Sequence, residues 1–335
     1  MNMKNTGGQD LKQNLIIFVI NNKALILMLL MFIAASLATP AFLTSLNLLT
    51  VMRQIAVASI VSIGYTIIFS AGTFDMSVGD VMSLCAILYA LMSKIFPLPF
   101  AFITAVLVGV ACGFVNGSLI RLFNLPAFVS TLAVSMIFKG ITYMITNGAT
   151  VFGLSGSVSF IGQGSLFYIP IPFLIMLGVL FCMFTLLNKT IYGRHVIATG
   201  GNTEAARVSG IRVNFIKVSV FMVCGACAAI GAIVLTGRLG AATPNLGADF
   251  ALDAIAAVVI GGTNMRGGKA KVVGTLWGVI LVAIIGNMLA LLGVSPYLQW
   301  VVKGAIIVIA IILDNQTETI LNRQREKALL KSSGR

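Results

Sequence analysis

Apolar residues dominate this chain in long blocks, and polar residues gather in the short gaps between them. Ten blocks stand out, at 24–43, 54–71, 76–96, 98–120, 128–145, 167–187, 218–235, 250–262, 272–292 and 297–313. Nine have the ~17–25 residues that cross a hydrocarbon core as helix. The blocks run continuously instead of alternating with period two, which excludes a membrane β-barrel. The pattern therefore predicts an all-α polytopic transmembrane helical bundle of about ten spans. It divides into a segment 1–23, one membrane domain over 24–313 and a basic tail over 314–335. Residues 1–12 are polar and lack a cleavage-type small-residue site, so no signal peptide is expected to be removed.

The eighth block is the exception. Thirteen helical residues rise only about 20 Å, short of a ~30 Å core. A crossing there needs irregular backbone around 243–249 or 261–268, which is tolerated at depth only when protein or a water-filled cavity surrounds it. Gly261 and Gly262 at its end are thus candidate pathway elements.

Composition agrees with the pattern: 59% of the 335 residues are hydrophobic and 9% are charged, against about 25% charged in soluble domains. The net charge of +13 does not point to nucleic acid, because the basic residues cluster in short loops and the tail. With the N-terminus inside, seventeen of the 22 Lys and Arg residues fall on the inner side. Arg53, Lys94 and Arg238 fall outside, and Lys139 and Lys303 fall within spans. That bias places both termini in the cytoplasm. Lys139 and Lys303 lie about 9–12 Å from the outer ends of their spans, and snorkelling is favoured over a buried ion pair.

The segment 188–217 carries a polar, helix-sized stretch between two spans. Glu204, Ala205 and Ala206 favour helix, Asn202 or Thr203 can cap its start, and Gly210 can stop it. Read functionally, this is a coupling helix offered to another protein; read structurally, it is an ordinary cytoplasmic loop.

Other signals are weighed the same way. In 72–80, Asp75 and Asp80 sit beside apolar runs, a costly placement unless they are hydrated, paired or hydrogen-bonded. Ser77 and backbone groups are available to Asp75, and Gly79 follows, so this join between spans reads as structure plus gating. Asp253 opens the short eighth block; it reads either as the partner of Arg238 in the preceding outer loop, fixing an external mouth, or equally as one of two solvated charges. Asn116, Asn124, Asn147, Asn287 and Gln299 can each hydrogen-bond a polyhydroxylated solute, or simply pack or cap. Gly109, Gly113 and Gly117, and again Gly274 and Gly278, repeat every four residues and permit close helix approach. The segment 262–269 has a superficial likeness to a phosphate-binding loop, but Thr263 stands where a glycine is required and Ala270 where Ser or Thr is. Cys224 and Cys227 have metal-ligand spacing, yet no second pair exists and the single histidine, His195, is in the basic loop. They read as small packing residues. No catalytic set, metal site or nucleotide site emerges, so a membrane enzyme is disfavoured.

Five of these stretches together resemble the ribose, arabinose, xylose and galactoside group of permeases of ATP-binding-cassette importers. They are GTFDMSVG (72–79), PAFVSTL (126–132), ATGGNTEAARVSG (198–210), LDAIAAVVIGGTNMRGG (252–268) and GVSPYLQWVVKGAIIVIAIILD (293–314). The resemblance implies an inner-membrane permease with a helical architecture related to large-core importers such as the vitamin B12 system. It implies two permease copies, a separate ABC ATPase holding ATP and Mg, and a periplasmic sugar-binding protein, with no cofactor in this chain. Gly201, Asn202, Glu204, Ala205, Ala206, Arg207 and Gly210 match the family's ATPase-contacting loop. One position departs: relatives often carry Glu before the LDAIA run, where Ala251 stands here, with Asp249 nearby as a substitute. Solutes such as autoinducer-2 or nucleosides, or action as a stand-alone facilitator, are the alternative readings.

Overall fold

The computed structural model describes residues 22–312, so the expected tail and nearly all of the segment 1–23 lie outside the described residues. The described chain is helical apart from short connections and one two-stranded hairpin. In order, α1 covers Lys23–Ala38, α2 Ser45–Ser70, α3 Val78–Ile95, α4 Leu98–Phe123, α5 Ala127–Thr146 and α6 Gly156–Gln163. The hairpin strands β1 (Ser165–Leu166) and β2 (Ile169–Pro170) follow. Then come α7 (Ile171–Lys189), α8 (Ile191–Gly201), α9 (Thr203–Val208), α10 (Val213–Leu239), α11 (Phe250–Ile260), α12 (Val272–Leu291) and α13 (Pro296–Ile312).

Seven helices, α2, α3, α4, α5, α7, α10 and α12, are long and apolar enough to cross a membrane. Three shorter apolar helices, α1, α11 and α13, complete the set. The first block is interrupted: α1 stops at Ala38, and Thr39 caps a 3-10 turn over Pro40–Leu43. Proline has no N–H to donate and fixes φ, so the helix cannot run through it undisturbed. The second block extends further than its hydropathy indicates, because α2 begins at Ser45. The uncharged connection 147–155 leads into α6, whose Gly162 lies against the backbone of Gly237 and Arg238.

The core is built on α10, α2 and α3. Tyr65, Phe69, Tyr89, Phe221, Ile60 and Met82 from these helices are fully buried. By contrast α4, α5 and α7 present apolar side chains outward, among them Leu107, Met136 and Phe181. An outer layer that is apolar on its exposed side is what lipid as solvent permits. Helix α4 packs on α10 through its small face. A Cβ on Gly109, Gly113 or Gly117 would lie 2.3, 2.2 or 2.7 Å from α10 backbone atoms of Gly225, Phe221 or Val218. Gly274 and Gly278 perform the same function against Gly261 and Ala257. Cys224 and Cys227 are free and buried, and Cys227 packs against Gly64, so both act as small core residues.

Candidate functional site

Three groups of residues carry polar chemistry. The first is at the end of the bundle where α7 meets α8. Thr190 caps α8 by accepting from the Gly193 amide, and Gly193 sits against the carbonyls of Leu186 and Leu187, leaving no room for a side chain. The Tyr192 hydroxyl bonds the Ser219 hydroxyl at 2.8 Å and ties α8 to α10. Burial pushes the Tyr192 phenol above its ordinary value, so it stays protonated. A single residue, Asn202, separates α8 from α9. Its side chain accepts from the Ala205 amide at 2.9 Å, the N-cap arrangement. Gly210 adopts φ +82°, and the Gly210 and Ile211 amides donate to the Arg207 and Ala206 carbonyls. That is a Schellman-type stop. Glu204 and Arg207 pair at 2.9 Å on the exposed side, and beside them the apolar Val208 is 88% exposed. Ala206 alone of the α9 residues is buried. The result is a short, capped, outward-facing helix. The helical character of α8 before it does not show in the polar pattern of 188–217.

The second group lies in the segment between α2 and α3. Asp75 is 2% exposed. Its Oδ1 accepts from the Ser77 amide at 2.8 Å and the Ser77 hydroxyl at 2.6 Å, and its own amide donates to the Tyr65 hydroxyl at 3.2 Å. The Asn116 side-chain amide on α4 donates to Ser77 Oγ at 2.6 Å. Among the described residues, Asp75 is thus held by hydroxyl and backbone donors instead of by a cation. The Met76 amide donates to Thr131 Oγ1 on α5 at 3.0 Å, and the Ser135 hydroxyl bonds Asp80. Segment 71–77 is therefore pinned from α2, α4 and α5 at once. The hydropathy pattern does not single out Tyr65, Thr131 or Ser135; the one signal for Thr131 is its place inside the PAFVSTL stretch.

From the opposite end, segment 241–249 leaves α10 and dips inward. Gly247 and Gly79 touch backbone to backbone: a Cβ on Gly247 would be 2.0 Å from the Gly79 carbonyl oxygen. The Gly247 amide donates to Ser83 Oγ at 2.9 Å. Met82 packs beside both Gly247 and Gly231, and Gly231 packs beside Val61 near the middle of α2. The non-helical segment 241–249 thus meets the first turn of α3 inside the bundle, where Gly79 and Gly247 are both buried. Helix α11 starts at this meeting point, and irregular backbone flanks it on both sides.

The third group lines a cavity of about 300 Å³ between α2, α11, α12 and α13. Gln54, Arg238, Asp253, Asn287, Gln299 and Lys303 reach its wall, with Phe250 and several aliphatic side chains. Here the structure corrects two expectations. Asp253 pairs with Lys303 at 2.8 Å and not with Arg238. Lys303 correspondingly does not snorkel. Once α11 begins inside the bundle, Asp253 faces α13, where Lys303 is at hand, and a shared ion pair relieves the cost of both charges at depth. Lys139 is exposed on α5. Asn287 exchanges reciprocal amide bonds with Asn47, at 2.8 and 3.0 Å. Gln299 bonds the Val294 carbonyl. Asn124 and Asn147 are left-handed C-caps of α4 and α5. The five amides considered for a solute therefore divide: Asn287 and Gln299 share the cavity, Asn116 belongs to the Asp75 group, and the other two end helices. Asp75, Ser77, Gly79 and Asn116 come together, Asp253 lies in the cavity wall, and Gly261 and Gly262 sit at the far end of α11. Ala251 is buried and Asp249 exposed at the start of α11.

Comparison with known proteins gives this architecture its context. A family model described as branched-chain amino acid transport system / permease component matches residues 47–311. The ribose import permease protein RbsC of Bacillus subtilis is 38% identical over 288 residues, covering 85% of this chain and 89% of its own length. The galactose/methyl galactoside import permease protein MglC of Haemophilus influenzae is 34% identical over 336 residues, covering 93% and 96%. The D-allose transport system permease protein AlsC of Escherichia coli is 35% identical over 291 residues, covering 86% and 89%. No solved structure matches. With its multi-pass apolar helices and a family match that spans all but the ends, the chain belongs to the permease-component family of these transport systems.

Proposed function

We propose that this chain is the membrane subunit of an ATP-binding-cassette importer and forms the pathway for a pentose or hexose. The observation that carries the reading is its identity to import permeases for ribose, galactosides and allose over most of their lengths. The outward-facing, capped α9 supports the rest: a helix one residue removed from α8 transmits displacement that a loop would absorb. A separate ATPase, with ATP and Mg, docks there through Gly201, Asn202, Glu204, Ala205, Ala206, Arg207 and Gly210. A periplasmic sugar-binding protein delivers solute to the opposite end.

On this reading ten helices cross the inner membrane, α11 with the help of its irregular flanks, and both termini are cytoplasmic. The seventeen-to-three distribution of basic residues supports that orientation. Two copies surround the pathway, in an architecture related to large-core importers of the vitamin B12 type. Residues around Asp75, Ser77, Gly79 and Asn116, with Asp253, Gly261 and Gly262, govern access.

The test is uptake into proteoliposomes that contain the purified permease, with and without the ATPase subunit and binding protein. Sugar accumulation that requires all three components and ATP is expected. Equal flux through the permease alone would overturn the reading in favour of a facilitator.

A further inference from the structure

Four glycines from three separate segments meet where α8 ends. A Cβ on Gly200 would lie 2.0 Å from the Ser70 carbonyl oxygen and 2.9 Å from the Gly268 nitrogen. A Cβ on Gly267 would lie 2.5 Å from the Gly200 carbonyl oxygen, and one on Gly72 would lie 3.3 Å from that same atom. Gly72, Gly267 and Gly268 have φ of +69°, +91° and +77°, a region that residues with a Cβ rarely adopt. The Gly268 amide donates to the Ser70 carbonyl at 3.1 Å. Backbone therefore touches backbone, with no side chain between to yield when one piece moves.

Each segment leads elsewhere. Gly200 is three residues before α9. Gly72 begins the segment that holds Asp75 and Ser77 and leads into α3, whose Gly79 lies against Gly247. Gly267 and Gly268 belong to the connection from α11, whose Gly261 lies against Gly274. Helix α11 is thus held at both ends by glycine contacts, and the junction at Gly200 reaches both of them.

We propose that Gly200 is a positioning residue through which displacement of α9 reaches segment 72–77 and α11 together, so that both breaks in the bundle shift as one unit. This rests on the reading of α9 as the ATPase contact. Close-packed backbone makes the junction stiff: an interface that cannot deform gradually passes a small displacement on instead of absorbing it.

Two measurements on the complete transporter in proteoliposomes test it. The first uses Gly200→Ala, with Gly178→Ala as control, since a Cβ at Gly178 meets nothing within 4 Å. The expected result is an assembled complex that hydrolyses ATP but delivers roughly tenfold less sugar per ATP, within the range of site-to-site couplings. Unchanged sugar per ATP in Gly200→Ala overturns the proposal. The second uses the wild-type complex and does not depend on how the variant folds. Amide hydrogen exchange is compared between nucleotide-free and ATP-trapped states. Protection is expected to change together in peptides covering 200–203, 72–77 and 262–268. A change confined to 200–210 overturns the role of the junction and leaves the ATPase contact standing. No change anywhere in 200–210 overturns the ATPase contact itself and this proposal with it.

Discussion

Gly113→Ala is the sharpest test of how the membrane domain is held together. The substitution adds one methyl group to the middle of α4. Alanine is the better helix former by about 1 kcal/mol, so local preference alone predicts stabilisation. The structure predicts the reverse. The new Cβ would stand 2.2 Å from the Phe221 carbonyl oxygen and 2.5 Å from its carbon, whereas ordinary contact begins near 3.4 Å. The obstacle is α10 backbone, which cannot swing aside as a side chain would, so α4 and α10 must part by about an ångström. A gap of that size forfeits roughly a quarter to a half of each dispersion contact along the seam. In a bilayer, packing is the main term that holds helices together. Overpacking of this kind costs about 1–3 kcal/mol, at about 2–4 °C per kcal/mol for a chain of moderate size. Gly140→Ala on α5 receives the same propensity gain and meets nothing within 4 Å. Thermal unfolding of the detergent-purified permease, followed by size-exclusion fluorescence, should therefore lower the midpoint of Gly113→Ala and leave Gly140→Ala level or raised. A Gly113→Ala midpoint equal to or above that of Gly140→Ala would refute the close-approach argument. The variant should also impair uptake, because Asn116 rides on α4 and its 2.6 Å bond to Ser77 is broken when α4 withdraws.

Lys303→Met should lower the unfolding midpoint, because Asp253 loses its ion-pair partner. The pair is about a third exposed, so about 1–2 kcal/mol is expected instead of the full cost of a buried pair, and Lys303→Met with Asp253→Leu should recover most of it. Asn202→Ala removes the α9 cap, worth about 0.5–2 kcal/mol locally. ATP-driven uptake should fall while the global unfolding midpoint stays put, since α9 is a separate exposed turn. Asp75→Ala should disturb both folding and uptake more than Asp75→Asn, because the asparagine side-chain oxygen can still accept from the Ser77 amide, whereas alanine leaves the Ser77 amide and hydroxyl without their acceptor. Expression level and uptake rate measured on the pair of variants check this.

Much of the molecule is legible in its residues because lipid imposes a simple demand: every backbone polar group at depth must be satisfied within its own helix. That turns apolar block length into helices, and residue count alone marks 250–262 as too short to cross unaided. The α9 turn is equally visible, since capping and stopping are local chemistry carried by Asn202 and Gly210. The glycine repeat of α4 announces a close neighbour, although nothing in it names α10. Asp253 shows the limit. Sequence proximity points to Arg238, but the chosen partner is fifty positions away on α13. Tyr65, Thr131 and Ser135 are hidden for the same reason: a hydroxyl in an apolar run looks like ordinary packing until the group it bonds is known.

The chain by itself therefore determined an all-helical membrane bundle, the gathering of basic residues in the gaps between apolar blocks and in the tail, and a capped polar helix interrupting the apolar run. Each follows from solvent, length and local hydrogen bonding. Only the tertiary structure decided that segment 241–249 meets α3 at Gly247 and Gly79, that Asp75 is satisfied without a cation among the described residues, and that four glycines join α8 to the segments at 72–77 and 261–268. Those contacts connect residues far apart in sequence, and which backbones touch is set by the packing of whole helices. No local preference encodes it.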